Sequence, residues 1–306
     1  QSKMYRKNVR CTDCHDPHSG RTYFPDNRLC AKCHVPAKYD TPAHHHHAGP
    51  AAESAGATLC VNCHMISRTY MEIDDRRDHS FRIPRPDLSV ELGTPNACND
   101  CHDARDEDAA WAAEKVLEWY GPERPDDPHY GPVLAALRNN DPNARELGRE
   151  LLTNLSMPDI VRATALRHLA GQADRRWVGE ALEHRNPLIR AAAAEALTPP
   201  PSAEAFAAAS RDPSATRELR LLREQFVDDL APLLEDPVRM VRMAAATQLV
   251  RFADTLNRSG FQEQVAAAVE EYRAGQELHL DRAGSHRNLA QLHVALGNLP
   301  KAIESL

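Results

Sequence analysis

Four short motifs of the same form constrain this chain more than any other feature. Each contains two cysteines separated by two residues and followed at once by a histidine: CTDCH, CAKCH, CVNCH and CNDCH. The motifs use all eight cysteines, and all of them lie within the first 102 residues of a chain of 306. Whatever binds to these motifs therefore determines how the first third of the chain folds.

The spacing is that of a covalent haem attachment site. Two thioethers would hold one edge of the porphyrin, and the adjacent imidazole would bind the iron. Zinc ribbons and thioredoxin-like redox pairs also contain CxxC, but neither requires a histidine directly after the second cysteine. The sequence therefore predicts four c-type haems on Cys11 and Cys14, Cys30 and Cys33, Cys60 and Cys63, and Cys98 and Cys101, with His15, His34, His64 and His102 as proximal iron ligands.

The first third of the chain has little else from which to build a core. It contains no long apolar run, and 92 residues extend from Cys11 to His102, which is about 23 for each motif. A domain of ~100 residues is on the order of 35 Å across, so four porphyrins within it would be neighbours. We predict a loop-rich tetrahaem domain over residues 1–105, with haem faces as its core and little structure without them.

The second axial ligand decides whether an iron can bind a substrate, because an iron held by protein on both sides is closed to small molecules. Besides the proximal residues, the first 130 positions contain seven histidines, which is enough for four distal places. His18 follows His15 across Pro17, which stiffens the link and directs His18 towards a neighbouring haem. We therefore predict His18 as one distal ligand.

Two other segments offer the remaining distal ligands. The histidine run 44–47 follows Thr41-Pro42, and an extended segment places alternate side chains on opposite faces, so His45 and His47 are predicted to serve two different haems. His79 is the fourth predicted distal ligand. Arginines around it are candidates to pair with haem propionates: Arg76, Arg77, Arg82 and Arg85. Met65 and Met71 are rival axial ligands, although methionine is more often a packing residue.

Beyond Ala104 the sequence changes to helical periodicity. One predicted helix ends before Gly121-Pro122 and carries a face formed by Trp111, Val116, Leu117 and Tyr120. A proline-rich linker follows, to about Pro132. Later helices are predicted to begin at the prolines after Met157, Asn186, Asp212 and Asp236.

Three of these helical segments echo one another: DIVRATALRHLA, PLIRAAAAEAL and PVRMVRMAAATQLV. Each combines β-branched residues, an arginine and small residues that let helices approach closely. The prolines that mark the helix starts are 29, 26 and 24 residues apart, an irregular period suited to paired helices. We predict HEAT-like repeats over residues 106–272, with an ordinary helical bundle as the alternative.

The last segment, NLAQLHVALGNLPKAIESL, resembles a tetratricopeptide repeat through Leu289, Ala290, Leu296-Gly297 and Ala302. This predicted repeat, within residues 273–306, stops inside its second helix. We expect further chain or a partner to continue the stack, because a lone repeat cannot bury its apolar face. The helical body contains no GxxxxGK, HExxH or GxSxG motif, so we interpret it as scaffold and docking surface.

Charge and hydropathy argue against two other classes. The net charge of −7 offers no basic surface for nucleic acid. No stretch approaches the ~18 to 20 consecutive apolar residues of a membrane span. The predicted fold class is therefore mostly α, with a loop-rich haem-packed module followed by helical repeats, no membrane span and no nucleic-acid partner.

Taken together, the segments MYRKNVRCTDCHDPHSG, YDTPAHHHH, CVNCHM and RRDHSFRIPRPDLSVELGTPNACNDCH resemble multihaem c-type cytochromes with HEAT-like and tetratricopeptide tails. The resemblance implies export to the periplasm or the cell surface, with covalent haem attachment there. It also implies two histidines on each iron and a role in respiratory or extracellular electron transfer.

Three hypotheses about function follow. The first is electron transfer without enzymatic activity, with redox proteins or copies of the chain itself as partners, either as a soluble carrier or as a head-to-tail filament subunit. The second is reduction of a small nitrogen or sulfur oxyanion at one open haem. No motif replaces its histidine by lysine and the histidines suffice for every distal place, which favours the first hypothesis. The third is a scaffold with structural haems, for which four haems are excessive.

Overall fold

The computed structural model describes residues 2–123, 128–171, 175–201 and 213–306. Within these residues the chain forms nineteen α-helices and one two-stranded antiparallel sheet, which confirms the expected mostly α class. The chain divides into two compact units, Gln1–Pro132 and Val133–Leu306.

The N-terminal unit consists mainly of short elements. Its helices are α1 (Lys3–Arg6), α2 (Arg28–Ala31), α3 (Pro36–Tyr39), α4 (Pro42–His45), α5 (Pro50–Ser54), α6 (Cys60–His64), α7 (Pro86–Leu92) and α8 (Ala109–Tyr120). Two 3₁₀ turns lie at Cys11–Asp13 and Cys98–Asp100. Strands β1 (Ser67–Tyr70) and β2 (Asp74–Arg77) form a hairpin in which Ser67 is opposite Arg77. Proline begins α3, α4, α5 and α7, because its fixed φ and missing N–H suit the first helical position.

Burial in this unit is confined to its C-terminal part. Among the described residues before Pro86, no residue is buried. Pro86 and Leu88 of α7 and Ala112 and Val116 of α8 are buried, and the two helices pack against each other. Apolar burial therefore stabilises the α7–α8 pair, whereas residues 2–85 have almost no protein core of their own.

Helix α8 agrees with the helix predicted before Gly121-Pro122. The Asp108 carboxylate caps it by accepting a hydrogen bond from the Trp111 backbone N–H at 2.9 Å. Of the predicted face, Val116 is buried, but Leu117 and Tyr120 are each 49% exposed. The structure places α8 in the N-terminal unit, and not in a helical body that begins at residue 106, because α8 packs against α7.

The C-terminal unit is built from longer helices. Helix α9 (Tyr130–Asn139) crosses the boundary between the units, and the later helices are α10 (Ala144–Thr153), α11 (Asp159–His168), α12 (Arg175–Leu182), α13 (Pro187–Ala196), α14 (Pro213–Leu230), α15 (Arg239–Leu249), α16 (Ala253–Ser259), α17 (Gln262–Glu277), α18 (Ala283–Ala295) and α19 (Leu299–Glu304). As predicted, helices begin within two residues of Pro158, Pro187, Pro213 and Pro237. Asp212 and residues 124–127 of the predicted linker lie outside the described residues.

Alternate helices of this unit form a row, in which α11 packs against α13, α13 against α15 and α15 against α17. Helix α10 packs against α11, and α12 packs against α13. The alanines Ala191, Ala192, Ala193 and Ala194 are fully buried in the row, and such small side chains allow close approach of the helices. The alternation agrees with paired helices, and their assignment to the HEAT class stays a prediction.

The three echoing segments use their arginines in the same way. Arg162, Arg190 and Arg242 each donate to a backbone carbonyl that precedes their own helix, at 2.7–2.8 Å: those of Leu152, His184 and Asp236. Each also pairs with a carboxylate: Asp159 at 3.2 Å, Asp236 at 2.7 Å and Glu271 at 2.5 Å. The repeated arginine thus fixes the turn between successive helices.

The last two helices form a hairpin. Helix α19 packs against α18, and the turn between them contains Gly297 at φ +72°. Leu289, Ala290 and Ala302, which carry the resemblance to a tetratricopeptide repeat, are buried. In the described part of the chain, no helix is both long enough and apolar enough to cross a membrane.

Candidate functional site

Each CxxCH motif forms about one turn of helix. The first and fourth motifs begin the two 3₁₀ turns, the second overlaps α2 and the third is α6. In the first, second and fourth motifs the histidine N–H donates to the carbonyl of the first cysteine at 2.9 Å. Because residues three apart lie on the same side of a helical turn, both sulfurs of a motif face one way, as attachment to one porphyrin requires.

The four motifs are neighbours in chain order. The Lys32 ammonium of the second motif donates to the Asp13 carbonyl of the first. The Cys30 and Cys60 thiols hydrogen-bond to each other, which joins the second motif to the third. Cys63 of the third motif lies close enough to Cys98 of the fourth for the charge of one to affect the other. Each motif therefore lies beside the next.

The thiol pKa values reflect these contacts. The hydrogen bond from the Cys60 thiol lowers the pKa of Cys30 to about 7, although burial and Asp40 oppose the shift. The same hydrogen bond and burial raise the pKa of Cys60. Burial and the neighbouring Cys101 raise the pKa of Cys63. None of the eight cysteines forms a disulfide in this structure.

Three of the four motif histidines face a second histidine ring. The ring centres are 6.2 Å apart for His15 and His79, 6.1 Å for His64 and His44, and 6.1 Å for His102 and His47. A metal–imidazole bond is about 2 Å long and the ring centre lies about 1 Å beyond the nitrogen, so two imidazoles on opposite sides of one metal have centres about 6 Å apart. These three facing pairs therefore have the separation of two axial ligands.

Hydrogen bonds determine which ring nitrogen is available in the facing pairs. The Nδ1 atoms of His15, His64 and His79 donate to the backbone carbonyls of Gly20, Arg82 and Arg77 at 2.8, 2.8 and 2.9 Å. The Nδ1 of His47 donates to the His45 carbonyl at 2.5 Å, and that of His102 lies 3.3 Å from the Glu107 carboxylate.

These bonds set the tautomer, because a carbonyl oxygen can only accept. Each Nδ1 that donates to a carbonyl carries the proton, and Nε2 keeps its lone pair. Histidines that bind a metal almost always donate the other ring N–H to a carbonyl or carboxylate. Five of the six histidines in the facing pairs have a carbonyl or carboxylate oxygen at Nδ1.

Of the predicted distal ligands, the structure places some opposite a motif histidine and others not. His47 and His79 lie in facing pairs, and His64 is faced by His44, which was not among the predicted distal ligands. The extended conformation predicted for the run 44–47 is wrong, since Pro42 begins a helical turn that continues through His45. Thr41 followed by proline was a signal for such a helix start.

The second motif differs from the others. In the part of the chain that the structure describes, no histidine ring faces His34, whose ring meets the edge of Tyr39 at 5.7 Å. Tyr39 in turn meets His44 at 5.4 Å. His18 is exposed, and its backbone N–H bonds to the Asp16 carboxylate at 3.1 Å. His18 and His45 are the two predicted distal ligands that face no proximal histidine among the described residues, and their role stays a prediction.

Asn27 connects the second motif to the third. Its amide nitrogen donates to Asp40 at 2.8 Å and to the Thr58 carbonyl at 2.9 Å, and its oxygen accepts from the Cys60 N–H at 2.9 Å. A cavity of about 480 Å³ adjoins Asn27 and Asp40 and reaches His45 and His47. This volume is within the usual range for sites that hold small molecules or cofactors.

The arginines near His79 have partners within the protein. Arg76, Arg82 and Arg85 pair with aspartates at 2.5, 2.9 and 2.7 Å: Asp74, Asp78 and Asp87. Arg77 donates to the carbonyls of Val61 and Met65 at 3.1 and 3.2 Å. Met71, a rival axial ligand, is 68% exposed at the tip of the hairpin. The predicted pairing of these arginines with propionates stays a prediction.

Neither a comparison with other kinds of metal site nor a comparison with known proteins identifies what this site binds. Among the described residues, no three His, Cys, Asp or Glu side chains are grouped to hold a metal ion, whereas a zinc ribbon requires four ligands. The chain matches no protein-family model, no curated protein and no solved structure. The interpretation of the site therefore depends on the motifs and on the facing pairs.

Proposed function

We propose that this chain transfers electrons through four covalently attached c-type haems. The observation that carries the proposal is the set of three facing pairs, each of which joins the histidine of a CxxCH motif to a histidine from elsewhere at 6.1–6.2 Å. The residues present fit the group, because two imidazoles at this separation suit one iron.

Each kind of residue has a definite role in this proposal. The paired cysteines would attach the porphyrin, and the motif histidine and its facing histidine would hold the iron. In five of the six rings, a carbonyl or carboxylate oxygen at Nδ1 would orient the ring and increase its basicity towards the metal. A haem iron with two histidine ligands supplies one-electron chemistry without an open position for a substrate.

The order of the motifs supports transfer within the chain. Because each motif neighbours the next, haems attached to them would also be neighbours in chain order. Electrons would then enter at one haem and leave at another. We propose that the donor and the acceptor are redox proteins or further copies of this chain, met outside the cytoplasmic membrane, and that the helical unit with its HEAT-like and tetratricopeptide-like repeats serves docking.

A second candidate function is favoured by the second motif. His34 meets Tyr39 instead of a histidine among the described residues, so this site is the one at which an open iron would be found. Such an iron could reduce a small nitrogen or sulfur oxyanion. The two candidates differ in whether His18 or His45 completes this site.

The test is a spectroscopic study of the holoprotein, made in a host that exports the chain and attaches haem. Mass spectrometry should show four attached haems, and the variant Cys30→Ala with Cys33→Ala should show three. Low-temperature EPR and visible spectra, with and without carbon monoxide or nitrite, then report ligation. Four low-spin haems whose spectra change with neither carbon monoxide nor nitrite would support electron transfer. A high-spin haem that binds nitrite would support the reductase, and a chain without covalent haem would refute both.

A further inference from the structure

The end of α8 holds the histidine run in place. The His46 ring lies flat on the Trp119 ring, with centres 4.1 Å apart and planes 6° apart. Tyr120 meets the same His46 ring edge-on at 5.5 Å, and its hydroxyl donates to the His44 carbonyl. Two adjacent aromatic residues of α8 therefore contact two residues of the run, which lies more than 70 positions earlier in the sequence.

His46 has an unusual backbone conformation. At φ +58° and ψ +22° it is in the left-handed region and ends α4, with its N–H donating to the Pro42 carbonyl at 3.0 Å. Residues with a Cβ are uncommon in this region, because Cβ lies close to the following carbonyl oxygen, although asparagine, aspartate and histidine adopt it more often than the others. Stacking of the ring on Trp119 supports this conformation.

The left-handed turn separates the two neighbouring ligand candidates. His44, before the turn, faces His64 at 6.1 Å, and His47, after it, faces His102 at 6.1 Å. A continuous helix would instead bring residues three apart onto one side. The conformation of one residue thus determines that two histidines of a single run face two different motifs.

The surroundings of the His46 ring differ from those of the rings in the facing pairs. In the described part of the chain its Nε2 is enclosed and has no hydrogen-bond partner. Its ring meets Trp119 and Tyr120, and no motif histidine faces it there. The described side-chain contacts of His46 are therefore made by its ring, and they are contacts with aromatic residues of α8.

We infer that His46 is a positioning residue, whose stacking on Trp119 fixes the left-handed turn that presents His44 and His47 to two different irons. The inference rests on the proposed function. It assigns to Trp119, a residue outside every motif, control over the ligation of the third and fourth haems.

The test compares matched variants of the holoprotein. Trp119→Leu should keep four attached haems, because attachment needs only the motifs, but about two irons per chain should become high-spin and bind carbon monoxide. His46→Leu should have the same effect, whereas His46→Phe, which keeps a flat ring for stacking, should retain the wild-type EPR spectrum. Trp177→Leu, in the C-terminal unit, is the control for loss of a tryptophan and should leave the haems unchanged.

Two results would overturn the inference. If His46→Phe made one iron high-spin, His46 itself would be a ligand. If Trp119→Leu and His46→Leu both kept the wild-type spectrum, the stack would not position the ligands. The position 46 variants keep the inference testable if Trp119→Leu does not accumulate. Failure of the proposed function would be visible separately, as a wild-type protein that has no covalent haem or is already high-spin at the third and fourth haems.

Discussion

Replacement of His79 by glycine would remove one ring of a facing pair without touching any motif. The His15 ring should stay in place, because its Nδ1 donates to the Gly20 carbonyl at 2.8 Å and its backbone pairs with Thr22. We expect four haems still to be attached, with the haem on Cys11 and Cys14 held by His15 alone.

The size of the effect follows from the pairing. His79 faces one proximal histidine, His15, so one iron in four should change from low-spin to high-spin. Carbon monoxide capacity should rise by about one molecule per chain above the wild-type value. Added imidazole should reverse both changes, because it can occupy the position of the removed ring. His279→Gly, at an exposed histidine of the C-terminal unit, is the control and should have no effect.

The assay can also identify the haem concerned. In a background that carries Cys11→Ala and Cys14→Ala, the first haem is missing, and His79→Gly should then change neither the EPR spectrum nor the carbon monoxide capacity. Such complete non-additivity is expected of two changes that act on one site. An unchanged spectrum in the single variant, or an additional high-spin haem in the triple variant, would refute the pairing of His79 with His15.

The remaining predictions concern stability and pH. Asp236 binds the largely buried Arg190 guanidinium through both carboxylate oxygens, at 2.7 and 3.0 Å. Asp236→Ala would leave that buried charge without its carboxylate, so it should lower the free energy of unfolding by about 3–5 kcal/mol. Urea titrations followed by circular dichroism measure this loss. Glu195→Ala, which removes the exposed partner of Arg167, should cost at most about 1 kcal/mol, and equal losses would contradict the explanation. Burial raises the pKa of Asp236, whereas hydrogen bonds and the charges of nearby arginines lower it. The lowering is the larger effect, so the pKa of Asp236 lies below its ordinary value of 3.8. The stabilisation is therefore present above the ordinary pKa and lost as the pH falls through the lowered pKa, and Asp236→Asn should reduce this acid dependence in stability measured against pH. Asn27→Ala removes three hydrogen bonds and should destabilise the N-terminal unit by about 2–3 kcal/mol in thermal unfolding of the holoprotein, and a loss under about 0.5 kcal/mol would contradict this.

Local patterns predicted the helical part of the fold. Prolines indicated the starts of α11, α13, α14 and α15, because the preference of proline for the first helical turn depends only on its own φ and missing N–H. Gly121-Pro122 indicated the end of α8 in the same local way. Such signals act within one helical turn, so the sequence alone is sufficient to read them.

The conformation of the histidine run could not be read in this way. His44, which was not predicted as a ligand, faces His64 because of the helical turn at Pro42 and the left-handed turn at His46. The left-handed turn is supported by Trp119, 73 positions later. The neighbourhood of Cys30 and Cys60 likewise joins residues 30 positions apart. These contacts are tertiary, and no periodicity in the sequence records them.

The separations within the facing pairs have to be compared with those of ordinary ring packing. Two stacked pairs outside the motifs have closer centres, 4.1 Å for His46 on Trp119 and 4.3 Å for His129 on Tyr130, whereas His45 and His47, neither of which belongs to a motif, are 6.3 Å apart. The facing pairs have nearly parallel to moderately tilted planes, yet their centres lie at 6.1, 6.1 and 6.2 Å. Packing of two rings is compatible with centres about 4.5 to 7 Å apart, and one metal between two nitrogens requires about 6 Å, so both arrangements include this distance. Support for the proposed iron ligation therefore comes less from the distance than from the partners: each of the three pairs includes a motif histidine, and five of the six rings have a carbonyl or carboxylate oxygen at Nδ1.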